Sequence, residues 1–185
     1  MDAAESFELC QATSEAAIAP FDIAGAGGAQ AAARRFEREG CCIVDGVLSA
    51  EESAALAQFV DAQLEEARRF VAAAGKDECS FVGDVFGKLR CRQQRWDVKL
   101  PLQGPVLAAL RSLGAALGAF LGEVVGPEAF LTELSSIVSD PGAAQQPLHA
   151  DAHHCYPGML SVLIALQPIV RAMGPTVLCP RTHSA

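Results

Sequence analysis

The sequence lacks an apolar run long enough to cross a bilayer. Its longest uncharged apolar stretch, residues 112–122, is far short of the ~20 residues that a membrane helix needs. The first residues are acidic and no apolar run follows them, so no secretion signal is visible. The last residues match no retention or peroxisomal signal. We therefore expect a cytoplasmic protein without membrane contact.

Basic side chains are scarce relative to acidic ones. The chain has 14 Lys and Arg residues against 22 Asp and Glu residues, a formal net charge of −8. An acidic chain repels the phosphate backbone of DNA or RNA. Nucleic acid is therefore not an expected partner, and a small-molecule substrate is the better expectation.

The seven cysteines are odd in number, irregularly spaced and without a CxxC pair. Without a secretion signal they indicate reduced thiols rather than a disulfide framework. The adjacent Cys41 and Cys42 lie in an apolar run and are interpreted as small buried hydrophobic residues. Cys155, Cys179 and His183 could bind zinc together, but nothing in their spacing requires it.

The chain length of 185 residues is typical of one domain with a single core. Residues 1–28 contain a glycine-rich run and predict a flexible N-terminal arm, which leaves residues 29–185 as the folded domain. Within that domain we expect a helix over residues 31–39 closed by Gly40, and a strand over residues 41–44.

A second, longer helix is predicted to begin at Ser49. The residues from Ser49 to Glu52 have the form of a capping box, in which each side chain bonds the other residue's backbone N–H. Gly75 is expected to end the helix. The apolar residues that recur at helical spacing, and therefore predict its buried face, are Leu56, Phe59, Val60, Leu64, Ala67, Phe70 and Val71.

Residues 88–100 change to an alternating pattern typical of a strand and carry the only cluster of positive charge. One interpretation is that a side chain such as Lys99 binds the carboxylate of a co-substrate. The alternative is a solvated strand face in which Lys99 pairs with Asp97. The basic side chains concerned are Lys88, Arg90, Arg92, Arg95 and Lys99.

The rest of the domain is predicted as one helix followed by strands and turns. The helix begins at Pro105 and ends at Gly126; strands follow over residues 130–138 and 160–166, with turns at residues 140–142 and 174–175. Helices first and strands afterwards predict an α+β fold, with helices against one side of an antiparallel barrel.

All four histidines lie in the last fifth of the chain, and the first forms the motif His149-Ala150-Asp151. Side chains two apart on a strand point the same way, about 6–7 Å apart along the chain. His149 and Asp151 can therefore supply two of the three protein ligands of a 2-His-1-carboxylate iron site. His153 is in phase with them and could line the substrate side, or it could be a polar strand end.

The context of this motif resembles the phytanoyl-CoA dioxygenase family over residues 30–185. The matching segments are residues 36–40 (FEREG), 44–49 (VDGVLS), 139–143 (SDPGA), 146–151 (QPLHAD), 160–167 (LSVLIALQ), 174–176 (GPT) and 180–183 (PRTH). The resemblance implies N-terminal helices on a double-stranded β-helix (jelly-roll or cupin-like) core. It also implies a dioxygenase that uses Fe(II), with 2-oxoglutarate as co-substrate, to hydroxylate a small or lipid-like substrate.

The resemblance leaves His183 outside the expected ligand set. In the family, the second histidine ligand and an arginine that binds 2-oxoglutarate lie downstream of the segment that matches residues 180–183. We therefore expect only part of the barrel here, with His149 and Asp151 as metal ligands, and self-association through unpaired strands. The alternative is a catalytically inactive fragment or pseudo-oxygenase with residual metal binding. Arg181 stands where the family usually has glycine.

Overall fold

The computed structural model describes residues 20, 28–73, 81–83, 88–92, 94–149 and 158–183. It contains three α-helices, which we label α1 (Gly28–Glu39), α2 (Ala50–Ala73) and α3 (Gly104–Val125). Four strands follow the same chain order: β1 (Phe81–Gly83), β2 (Lys88–Arg92), β3 (Arg95–Lys99) and β4 (Ser135–Ser139). Except for Pro20 and Gly28, the predicted N-terminal arm lies outside the described residues.

Helix α1 confirms the predicted helix and begins one turn earlier, at Gly28. It ends at Gly40, whose φ of +74° is left-handed and whose N–H donates to the carbonyl of Phe36 at 2.7 Å. The predicted strand over residues 41–44 is wrong, because these described residues pair with no strand. Cys41 and Cys42 are half-buried free thiols there, and burial raises the pKa of both.

The capping box at the start of α2 is confirmed. The backbone N–H of Ser49 donates to Glu52 Oε2 at 2.8 Å, and the backbone N–H of Glu52 donates to Ser49 Oγ at 3.1 Å. Ser112 of α3 donates to the other carboxylate oxygen. These hydrogen bonds, that of Ser112 first, lower the pKa of Glu52. The cap therefore also ties α2 to α3.

Removal of the Ser49 hydroxyl is expected to destabilise the protein. Ser49→Ala deletes the acceptor for the Glu52 N–H and should lower the free energy of unfolding by ~1 kcal/mol. Urea denaturation followed by circular dichroism measures this difference. Ser49→Asp, which restores an acceptor, is the matched control and should stay near the wild-type midpoint. An unchanged midpoint in Ser49→Ala would contradict the capping role.

Fewer residues of α2 are buried than its apolar spacing predicts. Phe59 is only partly buried, and Phe70 is 36% exposed, so the prediction of Phe70 as a core residue is wrong. Phe70 lies at the margin of the stripe that faces α3 and the sheet, where a large apolar residue can cover the core without entering it. The five buried residues of this helix are Leu56, Val60, Leu64, Ala67 and Val71.

Helix α3 confirms the predicted helix, with Pro105 in its first turn and Gly126 after its last residue. Its length and mean hydropathy would suffice for a membrane span, which by itself is weak evidence. It packs against both α1 and α2. The buried side chains that make these contacts are Val106, Ala109, Leu117 and Phe120.

The strands form one antiparallel sheet in the order β1-β2-β3-β4. The predicted extended stretch over residues 88–100 is thus a hairpin of two strands, with Arg92 paired to Arg95 and Gln94 at a φ of +60° in the turn. Strand β4 covers only the end of the strand predicted over residues 130–138. Trp96 and Val98 face α2 and form a core cluster with Leu64, Ala67 and Val71.

The described C-terminal segment, residues 158–183, contains no β-strand, so the strand predicted over residues 160–166 is wrong. Leu160 and Leu166 pack against the helices, but the side chains between them are exposed, Leu163 by 63%. An apolar run forms a stable β-strand only when a neighbouring strand is present to hydrogen-bond with it. The α+β class is confirmed, whereas a jelly-roll core does not appear among the described residues.

Candidate functional site

The segment that leads to His149 begins with a tight turn at the end of β4. The N–H of Ala143 donates to the carbonyl of Asp140 at 3.0 Å, and Gly142 at the third position has a φ of +89°. These are the features of a type II turn with Pro141 at its second position. The predicted turn at residues 140–142 is therefore confirmed. It turns the chain away from the sheet immediately before the HxD motif.

Asp140 holds this turn against α2 and β3. Its carboxylate accepts hydrogen bonds from Arg68 Nη2 at 2.5 Å and from the Trp96 indole N–H at 2.9 Å. Its own N–H donates to the carbonyl of Gln94 at 2.8 Å. The Arg68 guanidinium also lies 5.5 Å from the centre of the Trp96 ring, within cation–π range.

Arg95 makes a second connection between the hairpin and the turn. It pairs across the strands with Ser139, and its Nε donates to Ser139 Oγ at 3.2 Å. Its Nη2 donates to the carbonyl of Ala144 at 3.0 Å, beyond the turn. The guanidinium therefore bridges the end of β4 and the start of the segment that carries His149.

His149 is exposed, and its Nδ1 lies 2.8 Å from the carbonyl oxygen of Pro147. A carbonyl only accepts hydrogen bonds, so this contact puts a proton on Nδ1, and in the neutral ring that tautomer carries its lone pair on Nε2. That tautomer is suited to metal binding through Nε2, with a backbone carbonyl orienting the ring. Asp151 and His153 lie outside the described residues, as do His154 and Cys155.

Lys99 lies away from this segment. It pairs with Ser135, whereas Arg95 beside the turn pairs with Ser139, so about 13 Å of strand separates the two ends. Its ammonium group donates to both carboxylate oxygens of Asp97 at 3.2 Å and to Glu133. Partial burial acts to lower the pKa of Lys99, but hydrogen bonds to Glu133 and Asp97 outweigh it and raise the pKa. The predicted Lys99–Asp97 pair is present.

The loop that ends the described chain docks on the C-terminal end of α1. His183 Nε2 donates to the carbonyl of Glu37 at 2.9 Å, and the N–H of Arg181 donates to that of Glu39 at 2.7 Å. The Arg181 side chain pairs with the Glu39 carboxylate at 2.9 Å. Hydrogen bonds from Arg38 and Arg181 lower the pKa of Glu39.

Arg181 has a φ of +66°, the left-handed conformation that glycine adopts most easily. The turn expected of the family glycine at this position is therefore formed with arginine in its place. The His183 ring is held at α1 by its contact with Glu37. We call the docked residues 180–183 the C-terminal clasp.

Cys179, next to the clasp, corrects the expectation of seven reduced thiols because it is disulfide-bonded. A disulfide sulfur is not a thiolate, so in this state Cys179 does not supply the zinc ligand considered with Cys155 and His183. Within the described ranges, no three His, Cys, Asp or Glu side chains form a cluster that could hold a metal ion. Of the two predicted iron ligands, only His149 falls in those ranges.

The sequence predicted the turn at Asp140 and the end of α1 at Gly40. It did not predict that Arg68 and Trp96 bind Asp140, or that His183 lies beside Gly40. A type II turn and a left-handed glycine are signalled by adjacent residues, whereas Arg68 and Trp96 are distant in sequence from Asp140. The one signal available was that Trp96, the only tryptophan, lies in an alternating strand and needs an acceptor for its N–H once buried.

The sequence profile of the phytanoyl-CoA dioxygenase (PhyH) family matches residues 36–185, which is most of the chain. The protein therefore belongs to this family. No curated protein and no solved structure gave a significant match. The matched range includes α1 from Phe36 onward, the sheet, the HxD motif and the C-terminal clasp, and the family has a cupin-like fold.

Proposed function

We propose that this protein is an Fe(II)- and 2-oxoglutarate-dependent dioxygenase that hydroxylates a small or lipid-like organic substrate. The observation that carries the proposal is the family match across residues 36–185, which contains His149-Ala150-Asp151. The family as a whole supports an oxygenase-like function. The acidic chain and its few basic residues favour a small-molecule substrate over nucleic acid.

His149 and Asp151 are the residues that would hold the metal. The donor set of one imidazole and one carboxylate suits Fe(II), and the contact of Nδ1 with the Pro147 carbonyl orients the His149 ring. When bound, Fe(II) with 2-oxoglutarate and O₂ supplies the oxidising power for hydroxylation. The chain's own contribution is to orient the His149 ring and to hold the segment that carries both ligands.

Two further assignments remain part of the proposal. His153, in strand phase with the ligands, would line the substrate side if the extended backbone continues past Asp151. Lys99 would bind the co-substrate carboxylate only by exchanging its contacts with Asp97 and Glu133. That competition disfavours Lys99 as a resident anion-binding residue, because two carboxylates already neutralise its charge.

Self-association through the exposed apolar segment 159–178 also stays a prediction.

The metal site is tested by anaerobic titration of the full chain with Mn(II) and Fe(II), followed by calorimetry. His149→Ala and Asp151→Ala should each weaken binding by more than about 100-fold, because each removes a direct ligand rather than an orienting neighbour. Asp61→Ala, an exposed carboxylate on α2, and His183→Ala, in the C-terminal clasp, are the matched controls and should bind like the wild type.

Release of succinate from 2-oxoglutarate is the second measurement and tests the activity itself. Turnover that depends on His149 and Asp151 would support the dioxygenase function. Metal binding that depends on both residues without succinate release would instead assign the alternative, a pseudo-oxygenase. Equal metal affinity in the two ligand variants and the wild type would contradict the proposed site. Loss of binding in His183→Ala alone would make His183 a ligand.

A further inference from the structure

The strongest unassigned feature is the set of contacts that converges on Asp140. Three elements contribute to it: Arg68 from α2, Trp96 from β3 and Asp140 itself from the end of β4. The Trp96 side chain is only 6% exposed, whereas Arg68 and Asp140 are about one-third exposed. The hydrogen bond from the Trp96 indole N–H is therefore buried, whereas the ion pair between Arg68 and Asp140 is partly exposed.

The buried hydrogen bond of Trp96 depends on Asp140. A buried indole N–H needs an acceptor, and the Asp140 carboxylate is the acceptor that Trp96 uses. The same carboxylate has its second oxygen on Arg68, so one side chain satisfies two donors from different elements. Asp140 is thus held in one orientation relative to both the helix and the sheet.

This orientation carries over to the segment that follows. The backbone N–H of Asp140 is bonded to Gln94, the turn is closed by Ala143, and the carbonyl of Ala144 is bonded to Arg95. Only residues 145–148 then separate the last of these contacts from His149. Five residue steps of extended chain reach at most about 17 Å, so the contacts limit where His149 can lie.

We propose that Asp140, through Arg68 and Trp96, is a positioning residue for the metal-binding segment. This inference rests on the proposed metal site at His149 and Asp151. Asp140 does not touch the metal in this role. It holds the turn from which the chain to His149 departs, so that less chain entropy is lost when the metal binds.

The first test measures Mn(II) affinity of Asp140→Asn. Asparagine keeps a carbonyl oxygen for Trp96 but loses the charge that pairs with Arg68, so affinity should fall by roughly 10- to 100-fold, the range for partners that orient ligands. Glu65→Gln is the matched control: Glu65 also pairs with Arg68, at 2.9 Å, but belongs to α2 and does not hold the turn. Its Mn(II) affinity should equal that of the wild type.

Hydrogen exchange of the metal-free protein provides a second measurement that needs no bound metal. In Asp140→Asn, amide exchange over residues 141–149 should rise by about tenfold or more while exchange in α3 stays unchanged. Arg68→Gln removes the same partly exposed ion pair, together with the Arg68 contacts to Glu65 and the Trp96 ring, and should change both measurements in the same direction. It therefore replaces Asp140→Asn if that variant does not fold.

The outcomes separate this inference from the proposed function. Wild-type affinity for Mn(II) together with unchanged exchange in Asp140→Asn and Arg68→Gln would overturn the positioning role and leave the metal site intact. Absence of Mn(II) binding in the wild type would overturn both. Rapid exchange throughout α2 and α3 in both variants would show that Asp140 acts on global stability, which also overturns the positioning role.

Discussion

Gly40→Ala is expected to lower the free energy of unfolding by about 3 kcal/mol, through two separate effects. Gly40 has a φ of +74°, which costs a residue with a Cβ about 1–2 kcal/mol. An added Cβ would also lie 2.3 Å from His183 Nδ1, closer than real contacts allow. Either the helix end or the C-terminal clasp must then move. Urea denaturation followed by circular dichroism measures the loss.

A double-mutant cycle separates the two effects. In a His183→Ala background the ring is absent, so Gly40→Ala should cost only the backbone strain of about 1.5 kcal/mol. The difference between the two backgrounds, about 1.5 kcal/mol, measures the steric conflict between the added Cβ and the His183 ring. Identical costs in both backgrounds would show that the clasp does not rest on Gly40 in solution.

Leu64→Ala is expected to destabilise the protein by about 3 kcal/mol, because it opens a cavity in a closed cluster. Leu64 is 4% exposed and packs with Trp96 and Val98 at the interface of α2 and β3. Phe70→Ala, although it removes a larger side chain, should cost only about 1 kcal/mol, because Phe70 is 36% exposed and belongs to none of the buried clusters. Chemical denaturation of both variants measures this contrast.

Leu102→Ala is the chemically matched control for this comparison. Leu102 is 61% exposed in the loop before α3, so the same loss of atoms should change the free energy of unfolding by less than about 0.5 kcal/mol. A cost for Phe70→Ala equal to or above that of Leu64→Ala would mean that the buried face of α2 follows the sequence pattern rather than the structure. Trp96 fluorescence reports directly on the Leu64 cluster in the same experiments.

Local features of this protein followed from sequence because neighbouring residues determine them. The Ser49–Glu52 capping box joins residues three apart, and the Asp140 turn needs only Pro141 and Gly142 at fixed places. The long helices followed from apolar spacing and from their end signals. The HxD motif and its flanking segments were sufficient for the family, which the profile match over residues 36–185 confirmed.

Features that depend on distant residues were not predictable in this way. The alternating pattern over residues 88–100 was the same for one strand as for the β2–β3 hairpin, and only the pairing of β2 with β3 distinguishes them. The apolar run 160–166 predicted a buried strand, but burial and strand pairing require a partner that the described residues do not provide. Phe70 belonged to the apolar face by spacing, but it is 36% exposed and packs in none of the buried clusters.

The sequence by itself determined the two long helices, the N-terminal cap of α2 and the turn after β4, since each depends on residue types at short spacing. Tertiary structure alone decided that Asp140 accepts from Arg68 and Trp96, and that Arg181 and His183 clasp α1. These contacts join residues tens of positions apart, and which donor reaches which acceptor is decided by how the elements pack. A short motif carries no information about that packing.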